Sequence, residues 1–119
     1  MAAADLDPSV LAGLRARLSG AVVDQLVVVF GDSVNDRRAA LAEALASGDG
    51  PAAARACHSI RGSAQLVGAR RLEAIAAKWE ERARQGESAL TDQALAEVTD
   101  ALRGVQEALA LQLPRDEPG

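Results

Sequence analysis

Between Leu95 and Leu109 the apolar side chains return at steps of three and four, through Val98, Leu102 and Val105. That rhythm lays them along one face of a helix, the seam of an antiparallel bundle or coiled coil. Similar stripes recur upstream. Val10, Leu11, Leu14 and Leu18 follow Asp7-Pro8, a cap residue ahead of a proline suited to the first helical turn. Asp49-Gly50-Pro51 repeats that signal before Ala53, Cys57, Ile60, Ala64 and Val67, and the stripe breaks at Gly68. Leu72, Ile75, Ala76, Trp79 and Ala83 mark a fourth helix from about Ala69 to Arg84, ended by Gln85-Gly86. The fifth is expected to open near Ser88 or Thr91 and to close at Leu113-Pro114.

The second helix is the ambiguous one. From Ser19-Gly20 to about Ser47-Gly48, Val22, Val23, Leu26, Val27, Phe30, Val34, Leu41 and Leu45 trace a helical stripe. Gly31, Asp32, Ser33 and Asn35 are poor helix formers that could kink or divide it, but the stretch as a whole reads as one long helix. Val27-Val28-Val29 also has strand propensity, but a single strand in a helical chain has nothing to pair with. The chain is 49% hydrophobic and only 2% aromatic, so its core must be built from small and branched aliphatic side chains, which suits closely packed helices. The expected fold is all-α: an antiparallel up-and-down four-helix bundle with a short additional N-terminal helix. Its 119 residues read as one domain, with flexible tails at 1–6 and 114–119.

Charge and motif content remove several function classes. A net charge of -4 and a sequence pI of about 4.9 argue against nucleic acid and against an anionic membrane surface. The longest apolar run, Leu26 to Phe30, is far too short to span a bilayer. One cysteine, Cys57, permits no internal disulfide, and the N-terminus carries no secretion signal, so the expected location is cytoplasmic. Without a glycine-rich phosphate loop or a set of metal-ligand pairs, no resident cofactor, no metal and no ATP site are expected. Cys57 and Trp79 read as packing residues.

The chain's single histidine is the chemical feature that remains. At about 100° per residue, Cys57, Ile60, Ala64 and Val67 share one face of the third helix, while His58, Arg61, Gly62 and Gln65 share the other. His58 therefore points outward. It is either a surface histidine with no role or a nucleophile, since neutral imidazole attacks phosphorus without a general base near pH 7. Arg61, at i+3, is either a solvated charge or a cation able to neutralise a phosphoryl group on the ring. Gly62, at i+4, costs about 1 kcal/mol against alanine. It is either a tolerated defect or an opening through which another protein reaches the imidazole.

The run Ala56-Cys57-His58-Ser59-Ile60-Arg61-Gly62-Ser63-Ala64, followed by Gly68-Ala69 and Leu72, resembles the signature of histidine-containing phosphotransfer (HPt) domains. That signature has an aliphatic residue two after the histidine, a lysine three after, a glycine four after, and a second glycine ten after. Arg61 stands at the lysine position, which keeps the charge on a longer, planar group. The flanks are compatible, from Ser47-Gly48-Asp49 before the motif to Trp79-Glu80 and Gly86-Glu87 after it.

The resemblance implies a stoichiometric phosphoryl carrier rather than an enzyme. His58 accepts a phosphoryl group from a receiver-domain aspartyl phosphate or a kinase and passes it to another receiver aspartate. Arg61 stabilises its charge, Gly62 gives access, and Gln65 supplies a further polar contact. The implied partners are response-regulator receiver domains and a sensor or hybrid histidine kinase, with Mg2+ held by the receiver. Leu26, Val27 and Phe30 belong to a stretch apolar nearly all round its helix. They are either covered by the first helix or form an apolar docking patch beside His58, to which Arg55, Arg70 and Arg71 add positive charge. The alternatives are a non-phosphorylated helical adaptor binding receivers or partner helices, and a phosphotransfer segment belonging to a larger kinase.

Overall fold

The structure, a computed structural model, describes residues 5–86 and 92–111. Five helices account for most of them: α1 (Pro8–Arg17), α2 (Gly20–Ser47), α3 (Gly50–Val67), α4 (Arg70–Arg84) and α5 (Asp92–Ala110). Among the described residues there is no strand. The expected opening of the last helix at Ser88 or Thr91, its close at Leu113-Pro114, the tail 114–119 and residues 1–4 of the N-terminal tail lie outside the described residues.

The helix ends follow the local chemistry of the chain. Asp7 accepts a hydrogen bond from the Ser9 amide, Ser19 from that of Val22 and Asp49 from that of Ala52, each satisfying a donor that the first turn leaves free. Gly48 and Gly68 close α2 and α3 in the left-handed conformation, with φ of 68° and 76°. The amide of the next residue then returns to the carbonyl of Ala44 or Ala64, at 2.9 Å in both cases. Each connection is thereby held to two residues, Gly48-Asp49 and Gly68-Ala69, and the neighbouring helices are forced to fold back on one another.

One hydrophobic cluster joins all five helices. α3 packs against both α2 and α4, α5 packs against α4 and α2, and α1 lies across α2 and α3. Alanines dominate several of these contacts: Ala53, Ala54, Ala56 and Ala64 on α3, with Ala76 and Ala83 on α4, are all buried. Such small side chains let two helices approach closely. Trp79 is buried, and its indole N–H donates to Glu97 at 3.1 Å on α5, where Lys78 (2.5 Å) and Gln93 (3.0 Å) also converge. The Lys78 contact leads in holding the Glu97 carboxyl below its ordinary value.

The second helix is found as one long element, and one other expectation is corrected. α2 runs unbroken through Gly31, Asp32, Ser33 and Asn35, because Val23, Val27, Phe30, Val34, Leu41 and Ala44 keep one face buried over its length, and that packing overrides local propensity. Asp5 and Leu6 are held rather than forming part of a tail. Leu6 packs on the core, the Asp7 amide donates to the Gly68 carbonyl at 2.7 Å, and Asp5 lies 3.3 Å from Arg71.

Candidate functional site

His58 stands at the middle of α3, with its side chain 58% exposed, as its helical phase requires. Across the α3–α4 contact lies Glu80, whose side chain is only 3% exposed. Glu80 falls between Ala76 and Ala83 on the buried face of α4, the one charged residue among the buried residues described. Its Oε2 is 3.0 Å from His58 Nδ1 and 2.6 Å from an Arg84 guanidinium nitrogen. Its Oε1 is 3.4 Å from Arg61. Burying a carboxylate is costly unless it is paired, and here two guanidiniums and an imidazole surround it.

For the neutral ring these contacts favour one tautomer. Arg61 Nη2 also lies 3.4 Å from Nδ1, but a guanidinium can only donate, so Nδ1 cannot donate to Glu80 and accept from Arg61 at once. The shorter contact, to an anionic acceptor, decides: Nδ1 carries the proton and donates it to Glu80. Nε2 then holds the lone pair, on the side of the ring turned away from the buried carboxylate. In this tautomer Nε2 is free of both contacts, on a side chain that is mostly exposed, while Nδ1 is tied to a negative charge.

Cys57, next in sequence, faces inward and is buried; burial first, and the nearby Glu80 charge second, push its thiol up to about 11. It is a packing residue at neutral pH. Gly62 is exposed, and a Cβ built there meets nothing within 4 Å, so nothing inside the protein requires its small size. Gln65 is exposed and points to Glu73 on α4, at 3.4 Å, rather than to His58. Arg55, one turn before His58, is exposed and lines with it an open groove of about 600 Å³ bounded by Pro51, Ala83 and Arg84.

The expected docking residues divide. Leu26 is exposed, but Val27 and Phe30 are only 7% and 5% exposed, because they belong to the core stripe of α2; as outward contact residues they are withdrawn. Val28 and Val29 are the exposed members of that run, and Leu66 on α3 is 71% exposed. Leu26, Val29 and Leu66 rim a groove of about 210 Å³ in whose lining Phe30 and Val67 take part. Arg70 pairs with Asp7 (3.3 Å), and Arg71 with Asp100 (2.6 Å) and Asp5 (3.3 Å). They open α4, twelve and thirteen residues after His58 and beyond the Gly68-Ala69 turn at the far end of α3. Their charges fasten the N-terminal segment and α5.

Glu80 and Arg84 were not singled out from the sequence as site residues. The available signal was an acidic residue on the apolar face of α4, in phase with Leu72, Ala76 and Ala83. Among the described residues no three His, Cys, Asp or Glu gather as metal ligands would, and no helix is long and apolar enough to cross a membrane.

A model of the Hpt domain matches residues 25–108, which span α3, α4, nearly all of α5 and most of α2. The chain belongs to the Hpt domain family. His58, Glu80, Arg61 and Arg84 all lie within the matched Hpt segment. A crystal structure titled histidine-containing phosphotransfer protein B (HptB), from Pseudomonas aeruginosa PAO1, is similar at 26% sequence identity and a TM-score of 0.85, covering 91% of this chain and 93% of that one. Comparison with curated protein sequences finds no match.

Proposed function

We propose that this Hpt domain is a phosphoryl carrier in a phosphorelay, and that Nε2 of His58 is the atom that carries the group. The observation that supports this most directly is the 3.0 Å contact between His58 Nδ1 and the buried Glu80, beside an exposed ring edge. The Nε2 lone pair attacks the phosphorus of a receiver's aspartyl phosphate. The bond from phosphorus to the aspartyl oxygen breaks, its electron pair returns to the carboxylate, and the N–P bond forms. The Nδ1 proton stays in place throughout. The ring becomes positively charged, and Glu80 stabilises that charge as it develops. In the onward step the same retained proton lets neutral imidazole depart. No base or ATP site is required of this chain; in-line positioning, the acidic pocket and the divalent cation are assigned to the receiver.

Arg61 is assigned to the phosphoryl oxygens and Gly62 to the approach of the receiver. Leu26, Val29 and Leu66, with Arg55, form the proposed docking surface for receivers and for a hybrid or sensor kinase. The ring of contacts among the four long helices reads as an antiparallel up-and-down bundle, supported by its two-residue connections, with α1 packed over one side. The test is to incubate the protein with phosphorylated receiver domains and look for an acid-labile, alkali-stable phosphoprotein. Wild type is expected to be labelled and His58→Ala not. Equal absence of label in both, across several receivers, would sink the carrier reading and leave a helical adaptor.

A further inference from the structure

Glu80 can orient His58 only if something orients Glu80. Its carboxylate is buried on the face of α4 that packs against α3, and Oε1 has no hydrogen-bond partner, only the 3.4 Å approach of Arg61. The shortest contact it makes is to Arg84, at 2.6 Å, and that contact falls on Oε2, the oxygen that also faces Nδ1. Arg84 follows Glu80 by four residues, the favourable order for an acid and a base on a helix, and stands in the last turn, where a cation suits the helix dipole. It is thus placed to hold the carboxylate's rotamer from the open side of the α3–α4 groove, whereas Arg61 holds it from α3.

We propose that Arg84 is a positioning residue for the phosphotransfer site: it pins Oε2 of Glu80 against His58 Nδ1 and so fixes the tautomer that leaves Nε2 free to accept the phosphoryl group. The inference deepens the carrier reading and rests on it for its kinetic consequence, but not for its structural one. The ring nitrogen that carries the proton is set by the hydrogen bond the other environment offers. With Arg84 gone, the only guanidinium left on Glu80 is the more distant Arg61, Oε2 is no longer pinned towards Nδ1, and the preference for the Nδ1–H tautomer weakens. More than half of the Arg84 side chain is exposed, so its replacement removes little packing.

The single histidine makes the test direct, since the side-chain nitrogen-15 spectrum contains one imidazole. Spectra of the free protein are taken at a pH of about 8.5, where an imidazole is mostly neutral, for wild type, Arg84→Gln and Arg84→Lys. Phosphorylation by a phosphorylated receiver is followed in parallel. Wild type is expected to show predominantly Nδ1–H, R84Q a mixture of both tautomers with phosphorylation about tenfold slower, and R84K to stay near wild type; a tenfold change corresponds to about 1.4 kcal/mol. Wild-type nitrogen shifts in R84Q overturn the proposal, whether or not its phosphorylation slows, since slowing alone would place Arg84 at the receiver interface. R84K departing as far as R84Q overturns it too. If no variant is phosphorylated while the R84Q tautomer shifts as expected, the carrier reading has failed and the positioning role stands.

Discussion

His58 Nδ1 and Glu80 Oε2 are 3.0 Å apart, although the imidazole is mostly exposed and the carboxylate almost wholly buried. The pair joins a surface nucleophile to an interior charge across the α3–α4 contact. Because the transfer makes the ring positive, the carboxylate contributes more in the transition state than in the ground state. Glu80→Gln keeps the shape and removes the charge. Hydrogen bonds to charged groups contribute about 1.5–3 kcal/mol, so the rate of phosphorylation is expected to fall by roughly 10- to 100-fold. Stopped-flow or quenched transfer from a phosphorylated receiver measures this, with circular dichroism to show that the helices remain. An unchanged rate would remove Glu80 from the mechanism.

Gly62 separates the needs of the free protein from those of its complexes. A Cβ there meets nothing, so Gly62→Ala is expected to raise stability by about 0.5–1 kcal/mol through helix propensity and a less flexible unfolded chain. Gly62→Leu should leave the thermal midpoint at or above wild type while slowing transfer, because its side chain stands beside the imidazole where a receiver must approach. Loss of stability in either variant would show that the glycine serves the fold.

How far these features could be read beforehand depends on where their causes lie. The caps at Asp7 and Asp49, the glycine at the end of α3 and the outward phase of His58 are local, set by a few neighbouring residues and the helical period. The single long α2 was legible from its apolar stripe although Gly31 to Asn35 are locally weak; tertiary burial of Phe30 and Val34 on either side is what holds them helical. For Val27 and Phe30 burial and an outward docking role stayed open, because an all-round apolar run hides its phase. Arg70 and Arg71 looked like free positive charge, as their acidic partners Asp7, Asp5 and Asp100 come from distant segments. Glu80 shows the same limit most sharply: an acidic residue in an apolar stripe reads as a flaw until the neighbouring helix supplies His58.

Cys57 gives the molecule a pH dependence in the alkaline range. Its thiol is pushed from an ordinary 9.0 to about 11 by burial and by the Glu80 charge. Between these values the unfolded chain has released a proton that the folded chain retains, so the sign is fixed. The contribution to stability is fully present below about pH 9 and is lost as the pH rises towards 11, on the order of 2 kcal/mol in all. Urea unfolding at pH 8, 9.5 and 11 should show a decline that is shallower in Cys57→Ala. The native thiol should also resist thiol-directed reagents at pH 8 until the protein is unfolded. Rapid native labelling would contradict the burial.

Gly68 is the glycine whose absence of a side chain the fold itself requires. Its φ of 76° closes α3, and a Cβ there would stand 2.8 Å from Val10 Cγ2, 2.9 Å from Val10 Cβ and 3.0 Å from the Asp7 carbonyl oxygen. The left-handed conformation costs an alanine roughly 1–2 kcal/mol and the overpacking about 1–3 kcal/mol more. Relief can come only by moving the Asp7–Val10 segment, which would break the Asp7 amide's bond to the Gly68 carbonyl and loosen the Arg70–Asp7 pair. Gly68→Ala is therefore expected to destabilise the protein by about 2–5 kcal/mol in denaturant unfolding. Amide hydrogen exchange should rise first in α1, while α3 near His58 stays protected. Because the strain lies about 15 Å from the imidazole, phosphorylation of the folded fraction should remain close to wild type, whereas Glu80→Gln shows the opposite pattern of preserved fold and impaired transfer.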